Sequence, residues 1–243
     1  MNKFFPKLLL VTTFIAILLV IILAKIPSHF DNNEIADLQI VVATKPEYLT
    51  QADIDAVKEE AERAIKFIPQ ILSVKPKRAI KINIVDEGIC NENAGIVSLP
   101  ILHVREERAV IIHELTHIIA KHENNSFFSE GLAVYFQEKY GNFKGFPNFS
   151  IPLDDFLRNH KEQIIPLPIL KDANEIFTQV GTDKRRLAYI EAGSFINFLV
   201  VTYGAQRLAE LHKSSSLTYK KIYGKNFEEL ATDWEKFVLE ESY

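Results

Sequence analysis

Apolar and polar positions divide the chain into one unbroken oily stretch and a long remainder whose periodicity changes along its length. No residue from Leu8 to Ala24 is charged, while Lys3 and Lys7 precede the stretch and Lys25 follows it. Seventeen helical residues span about 26 Å, slightly short of a hydrocarbon core of about 30 Å, and snorkelling lysines make up the difference. The pattern predicts an N-terminal transmembrane helix within an anchor segment, residues 1–29. A cleaved signal peptide is the rival reading. Its apolar region runs about 7–15 residues and ends in small residues, whereas here bulky Ile22 stands two positions before Ala24. With either segment the lysines keep the amino end in the cytoplasm, which predicts an extracytoplasmic location for residues 30–243. The protein is then a single-pass protein of the cell membrane, or a secreted one if the segment is cleaved.

After the polar spacer SHFDNNEIAD, the alternating run LQIVVATK predicts a strand. Thr50 and Asp53 form a capping-box pair ahead of a helix in which Ile54, Val57, Ala61, Ala64, Ile65 and Ile68 recur at helical spacing. RAIKINIVD predicts a second strand with Ile80, Ile82 and Ile84 on one face, and AGIVSLP, closed by Pro100, a short strand near an edge. A helix is expected from about Arg105 to Lys121, and a second, capped by Ser126, ends near Gly141. Residues 141 to 183 mix prolines, aromatics and short helical turns. From Arg185 the pattern is helical in three or four pieces, broken at Gly204, at serines 214 to 216 and at Gly224. The last piece has Asn226 as its cap and buries Phe227, Leu230, Trp234 and Phe237. The sum is an α+β fold, with a small N-terminal sheet followed by a mostly helical C-terminal part.

Composition narrows the function. Among 243 residues, 28 basic and 32 acidic side chains leave a net charge of −4 with no run of one sign, which excludes the basic face of a nucleic-acid binder. Cys90, the single cysteine, cannot form an intramolecular disulfide and reads as structural.

The chemistry sits in AVIIHELTHIIAKHENNSFFSEGLAVYF. Residues four apart on a helix differ by about 40° in direction, so His113 and His117 share a face and can bind one tetrahedral Zn²⁺. Glu114, about 100° from His113, reaches the side of such a metal, where a general base belongs. The bland reading is a chance match among ordinary residues, on the order of one in a hundred for this motif. A third ligand is needed. His122 is turned about 180° from His113. The metzincin pattern needs Gly and His where Ala120 and Glu123 stand. GTDKRRLAY resembles the aspzincin motif, but Arg185 occupies the position of its aspartate. Glu130 remains, with twelve residues between it and His117, enough to end one helix, turn at Asn124 and Asn125 and begin an antiparallel second. Gly131 and Ala133 let the two helices approach.

HELTH followed by SEGLAVYF resembles the peptidase MA-like metalloproteases, a gluzincin group with H-E-x-x-H and then Glu-Gly-Leu-Ala on the next helix. The likeness extends more loosely to AYIEAGSFINFLVVTYG and NFEELATDWEKFV, covering roughly residues 37 to 240. The separation of His117 and Glu130 is shorter than in the thermolysins and the aminopeptidases. The resemblance implies His113, His117 and Glu130 as zinc ligands and Glu114 as catalytic base. It also implies that AGIVSLP lines the cleft and holds an extended peptide by strand addition. Related aminopeptidases carry a Tyr ahead of a Gly, which makes Tyr189 the candidate oxyanion donor, one residue further from Gly193 than in that pattern. His160 is a weaker candidate, read as a solvated surface residue. Residues 141 to 183 are expected to form a wall of the substrate pocket. Two readings follow: a membrane-anchored zinc metallopeptidase acting on peptide or protein substrates, and a non-enzymatic zinc-containing peptide-binding module. The presence of Glu114, which such a module does not need, favours the first.

Overall fold

Strand β1 (Asp37–Val42) alternates in exposure, and β2 (Ala79–Val85) buries Ile80, Ile82 and Ile84 on one face. Such alternation belongs to a sheet covered on one side. The computed structural model describes residues 37–42, 48–75, 79–121, 125–148, 150–214 and 216–239. The expected membrane segment, the spacer after it, His122 and the turn at Asn124 lie outside the described residues. No helix among the described residues is long and apolar enough to cross a membrane.

Helix α1 (Gln51–Leu72) joins β1 to its parallel neighbour β2. The expected capping box opens it: the Asp53 amide donates to Thr50 Oγ1 at 3.2 Å and the Thr50 amide donates to Asp53 Oδ2 at 2.7 Å. Val57, Ala61, Ala64, Ile68 and Leu72 form its buried stripe. The sheet has four strands in the order β1-β2-β4-β3. β4 (Ile96–Pro100) runs parallel to β2, and β3 (Asn91–Asn93) runs antiparallel to β4.

This order corrects the sequence reading. β4, the AGIVSLP strand, is interior, with Val97 and Leu99 fully buried, and the edge belongs to β3. Ala94 and Gly95 are the hairpin turn rather than strand, with φ of 53° and 82°. Both values suit a turn whose twist matches the flanking strands. Asn-Glu-Asn carries no apolar alternation, which is why the edge strand leaves no trace in the hydrophobic pattern.

The fold is mixed α/β, with eleven α-helices among the described residues. A separate short helix, α2 (Ile101–Arg105), ends where the helix expected from about Arg105 to Lys121 should begin, and that helix starts later, as α3 (Ile111–Ala120). The chain leaves the helical path at Glu107, whose φ is 54°, and thereby buries Ala109 and Val110. Packing overrides local propensity there. α4 (Ser126–Tyr140) begins one residue earlier than expected, because Asn125 rather than Ser126 caps it by accepting from the Phe128 amide at 2.8 Å. Short helices α5 (Leu153–Asn159), α6 (Leu167–Leu170) and α7 (Asn174–Thr178) follow. The expected pieces then appear as α8 (Asp183–Tyr203), α9 (Ala205–Lys213), α10 (Tyr219–Tyr223) and α11 (Phe227–Leu239). Asn226 does cap α11, accepting from the Glu229 amide at 2.8 Å. Phe237, expected inside, is half-buried against Phe198.

Helices α4 and α8 meet at glycines. A Cβ on Gly131 would sit 2.8 Å from the Ala192 carbonyl oxygen, and one on Gly193 would sit 2.4 Å from a Val134 methyl. Gly131 therefore makes room for α8, not for α3 as its sequence neighbourhood suggests. A hydrogen-bonded chain ties α5, α8 and α11 together: Trp234 Nε1 donates to Ser194 Oγ at 2.9 Å, and Ser194 Oγ donates to Asp154 Oδ1 at 2.6 Å.

Glu191 on α8 is fully buried. One oxygen accepts from the Ile165 amide at 2.8 Å and the other has no hydrogen-bond partner among the described residues. Burial raises its pKa well above the ordinary 4.5. The folded protein therefore holds this proton more tightly than the unfolded chain. The resulting stabilisation is complete below about pH 4.5 and declines as pH rises toward the folded-state value. Glu191→Gln should flatten the decline in stability above pH 5, measured by urea unfolding across pH. Glu60 and Asp154, also raised by burial, titrate in both proteins, so the difference between the two curves isolates Glu191. Parallel curves would refute the assignment.

Candidate metal centre

α3 exposes no side-chain cap at its start, since Val110 has none to offer. Its free amide at His113 is instead accepted by Gln137 Oε1 of α4 at 3.1 Å. Gln137, itself fully buried, donates to the Phe143 carbonyl at 2.9 Å and faces Glu60 Oε1 at 3.5 Å. Gln137 lies seven residues beyond Glu130, two turns on and on the same face of α4. One face of α4 thus holds both the backbone and the side chain of His113 in register. The other end of the pair is also tied down: the Ser126 amide donates to Asn174 Oδ1 at 3.1 Å, joining α4 to α7.

Across this pair the three expected ligands converge. His113 Nε2 and His117 Nε2 are 3.3 Å apart, and Glu130 Oε2 lies 3.3 Å from the first and 3.4 Å from the second. Glu130 Oε2 is buried and has no hydrogen-bond donor among the described residues. Three lone-pair-bearing atoms facing one another out of water are satisfied by a shared cation or by a proton on one imidazole. His113, His117 and Glu130 could hold a metal ion. Burial alone would raise the Glu130 carboxyl, but the two imidazoles hold it well below the usual carboxylate range. Ser129 Oγ sits 3.3 Å from His117 Nδ1 and orients that ring. His113 Nδ1 has no hydrogen-bond partner among the described residues, and Phe146 packs edge-on to that ring with centroids 5.0 Å apart.

Glu114 is only 6% exposed and lines the cleft beside the ligand group. Burial raises its pKa, partly offset by His113 and His117. A carboxylate with raised basicity suits a general base. Tyr189 stacks on His113 with ring centroids 5.9 Å apart, and its hydroxyl accepts from Arg185 Nη2 at 2.6 Å. Burial, and then the nearby Glu130 charge, hold the phenol protonated far above the ordinary range.

The cleft over these groups has a volume of about 680 Å³. Its described lining comes from the β3 hairpin, α3, the start of α4 and two residues of α8, Arg185 and Tyr189. None of it comes from residues 141 to 183, which back the site instead: Phe146 lies against His113, and Phe177 stacks on Tyr189 with centroids 5.9 Å apart. Among the described residues, therefore, the expected pocket wall is a supporting layer. Of AGIVSLP, only the turn residues Ala94 and Gly95 line the cleft, beside Asn91 and Glu92 of β3, while β4 itself does not. Cys90 also lines the cleft, half-buried, with Sγ 3.3 Å from His103 Nδ1. Burial pushes its thiol up to about 12, which keeps it protonated, as suits a structural cysteine. His160 is outside the cleft, stacked on Phe156 with centroids 4.0 Å apart.

The sequence pattern did not reveal Ser129, Gln137 or Arg185 as parts of the site. Gln137 carried a signal in its two-turn spacing from Glu130, and Arg185 in its four-residue spacing from Tyr189. Compared with protein-family models, curated proteins and solved structures, the chain gives no match.

Proposed function

We propose that the protein is a zinc-dependent metallopeptidase of the gluzincin type, built on the HELTH helix and Glu130. The observation that carries this reading is the ligand triangle, with edges of 3.3, 3.3 and 3.4 Å. Atoms about 2.05 Å from a tetrahedral zinc ion are about 3.35 Å apart. Two imidazoles and one carboxylate leave a fourth position open, as catalytic rather than structural zinc sites do.

A zinc ion held there would supply Lewis acidity toward a peptide carbonyl and acidify water at neutral pH. Glu114, beside the ligands but not among them, takes the proton from water and passes it to the departing amine. Tyr189 donates its hydroxyl hydrogen to the carbonyl oxygen as negative charge develops. Arg185 donates to the same hydroxyl's oxygen and makes it a stronger donor. The outer edge of β3 offers backbone groups to an extended peptide. Zinc analysis of the purified protein, paired with cleavage of a peptide library by wild type and Glu114→Gln, tests this reading. Holding zinc while cutting nothing would favour a peptide-binding module instead.

The same proposal places the catalytic residues on the extracytoplasmic side of the cell membrane, anchored through the Leu8–Ala24 stretch. The full chain should remain in the membrane pellet after an alkaline carbonate wash. A mature amino terminus near residue 25 would show cleavage instead.

A further inference from the structure

The carboxylates lining the cleft have identified roles or partners. Glu130 faces the imidazoles, Glu114 stands as base, and Glu92 Oε1 accepts from the Gly95 amide at 2.7 Å. Arg185 lines the same cleft and has no acidic partner among the described residues. Its guanidinium is nevertheless fixed. Nε donates to the Phe177 carbonyl at 2.7 Å, Nη2 donates to the Tyr189 hydroxyl at 2.6 Å, and the group lies 4.7 Å over the Tyr189 ring. These contacts use two of its five N–H groups and set the orientation of its plane.

A charge held this way, partly out of water and without a counter-ion among the described residues, is costly unless something completes it. A planar fork with free N–H groups matches a carboxylate better than any other common peptide group, because it can donate two parallel hydrogen bonds. Lys121 lines the cleft as well and adds positive charge. We propose that Arg185 binds a carboxylate of the substrate, either the C-terminal carboxylate or an acidic side chain near the cut bond. This rests on the peptidase reading. It adds that the cleft selects for negative charge.

The test uses the zinc-loaded full chain and matched fluorogenic peptides. One pair differs only as C-terminal carboxylate against C-terminal amide, and a second only as Glu against Gln within two residues of the cut. Wild type should favour the carboxylate member of one pair by about tenfold to a hundredfold in kcat/KM. Arg185→Met should reduce that preference to below about threefold, and Arg185→Lys should keep part of it. The ratio is read within each protein, so a general loss of rate through Tyr189 does not enter it. The pair that responds identifies the source of the carboxylate. Equal cleavage of both members by wild type, or a preference that survives Arg185→Met, overturns the proposal. If wild type cuts neither pair, the peptidase reading has failed on these peptides. Anisotropy binding of the same peptides to Glu114→Gln protein, with and without Arg185→Met, then decides whether Arg185 recognises a carboxylate.

Discussion

Glu114→Gln should keep its metal and lose its activity. The side chain lies beside the ligand triangle without belonging to it, and glutamine has nearly the same size and can fill the same buried space. Zinc occupancy should therefore match wild type within error. Glutamine cannot take a proton from water, and removal of a general base costs about 10²–10⁴-fold in rate. Tyr189→Phe should cost less, about 10- to 1000-fold, because it removes one hydrogen bond to a developing oxyanion while leaving proton transfer in place. The measurement is kcat/KM on one cleaved peptide for all three proteins at matched zinc content. A Glu114→Gln protein as active as wild type would sink the assignment of the base, and with it the proposed reaction.

Removal of a ligand should act on the metal first and on activity through it. Three protein atoms form the triangle, so His113→Ala, His117→Ala or Glu130→Ala takes away one of three. Each should lower zinc occupancy sharply after dialysis, read by elemental analysis. Glu130→Ala is the most informative of the three, because Glu130 comes from a different helix. In that variant the two imidazoles remain on α3, and zinc should bind weakly with its anionic ligand gone. Full zinc at wild-type affinity would show that the third ligand is some other residue. These two experiments separate cleanly. The base variant should keep metal without activity, while the ligand variants should lose both.

Much of this site was legible along the chain because its parts are local. The four-residue spacing of His113 and His117 sets their common face on any helix, and the offset of Glu114 follows from the same 3.6-residue turn. The Thr50–Asp53 box and the Asn226 cap are likewise settled within three residues. The burial of Ile80, Ile82 and Ile84 needs only the two-residue period of a strand. Glu130 was reachable by elimination, because few residues near the motif could complete a ligand set.

What the pattern misplaced depends on neighbours distant in sequence. Helicity is permitted from Arg105 onward, yet the chain turns at Glu107 because Ala109 and Val110 bury themselves against the rest of the fold. The interior place of β4 was hidden because its outer partner, β3, is three polar residues whose pairing is made by backbone alone. Gly131 looks toward α3 in sequence but meets α8, a contact that exists only once the C-terminal helices have packed.

The sequence by itself determined which residues can ligate, which can act as a base and on which face of a helix each stands, because those properties follow from side-chain chemistry and helical period. The tertiary structure alone decided that the two Nε2 atoms and Oε2 lie 3.3 to 3.4 Å apart, since that distance is set by how α4 seats on α3 through Gln137. It also decided that Arg185 enters the cleft: its four-residue spacing from Tyr189 is local to α8, but the Phe177 carbonyl that fixes its Nε comes from α7. Chemistry is carried by single residues, whereas distance between them is a property of packed surfaces.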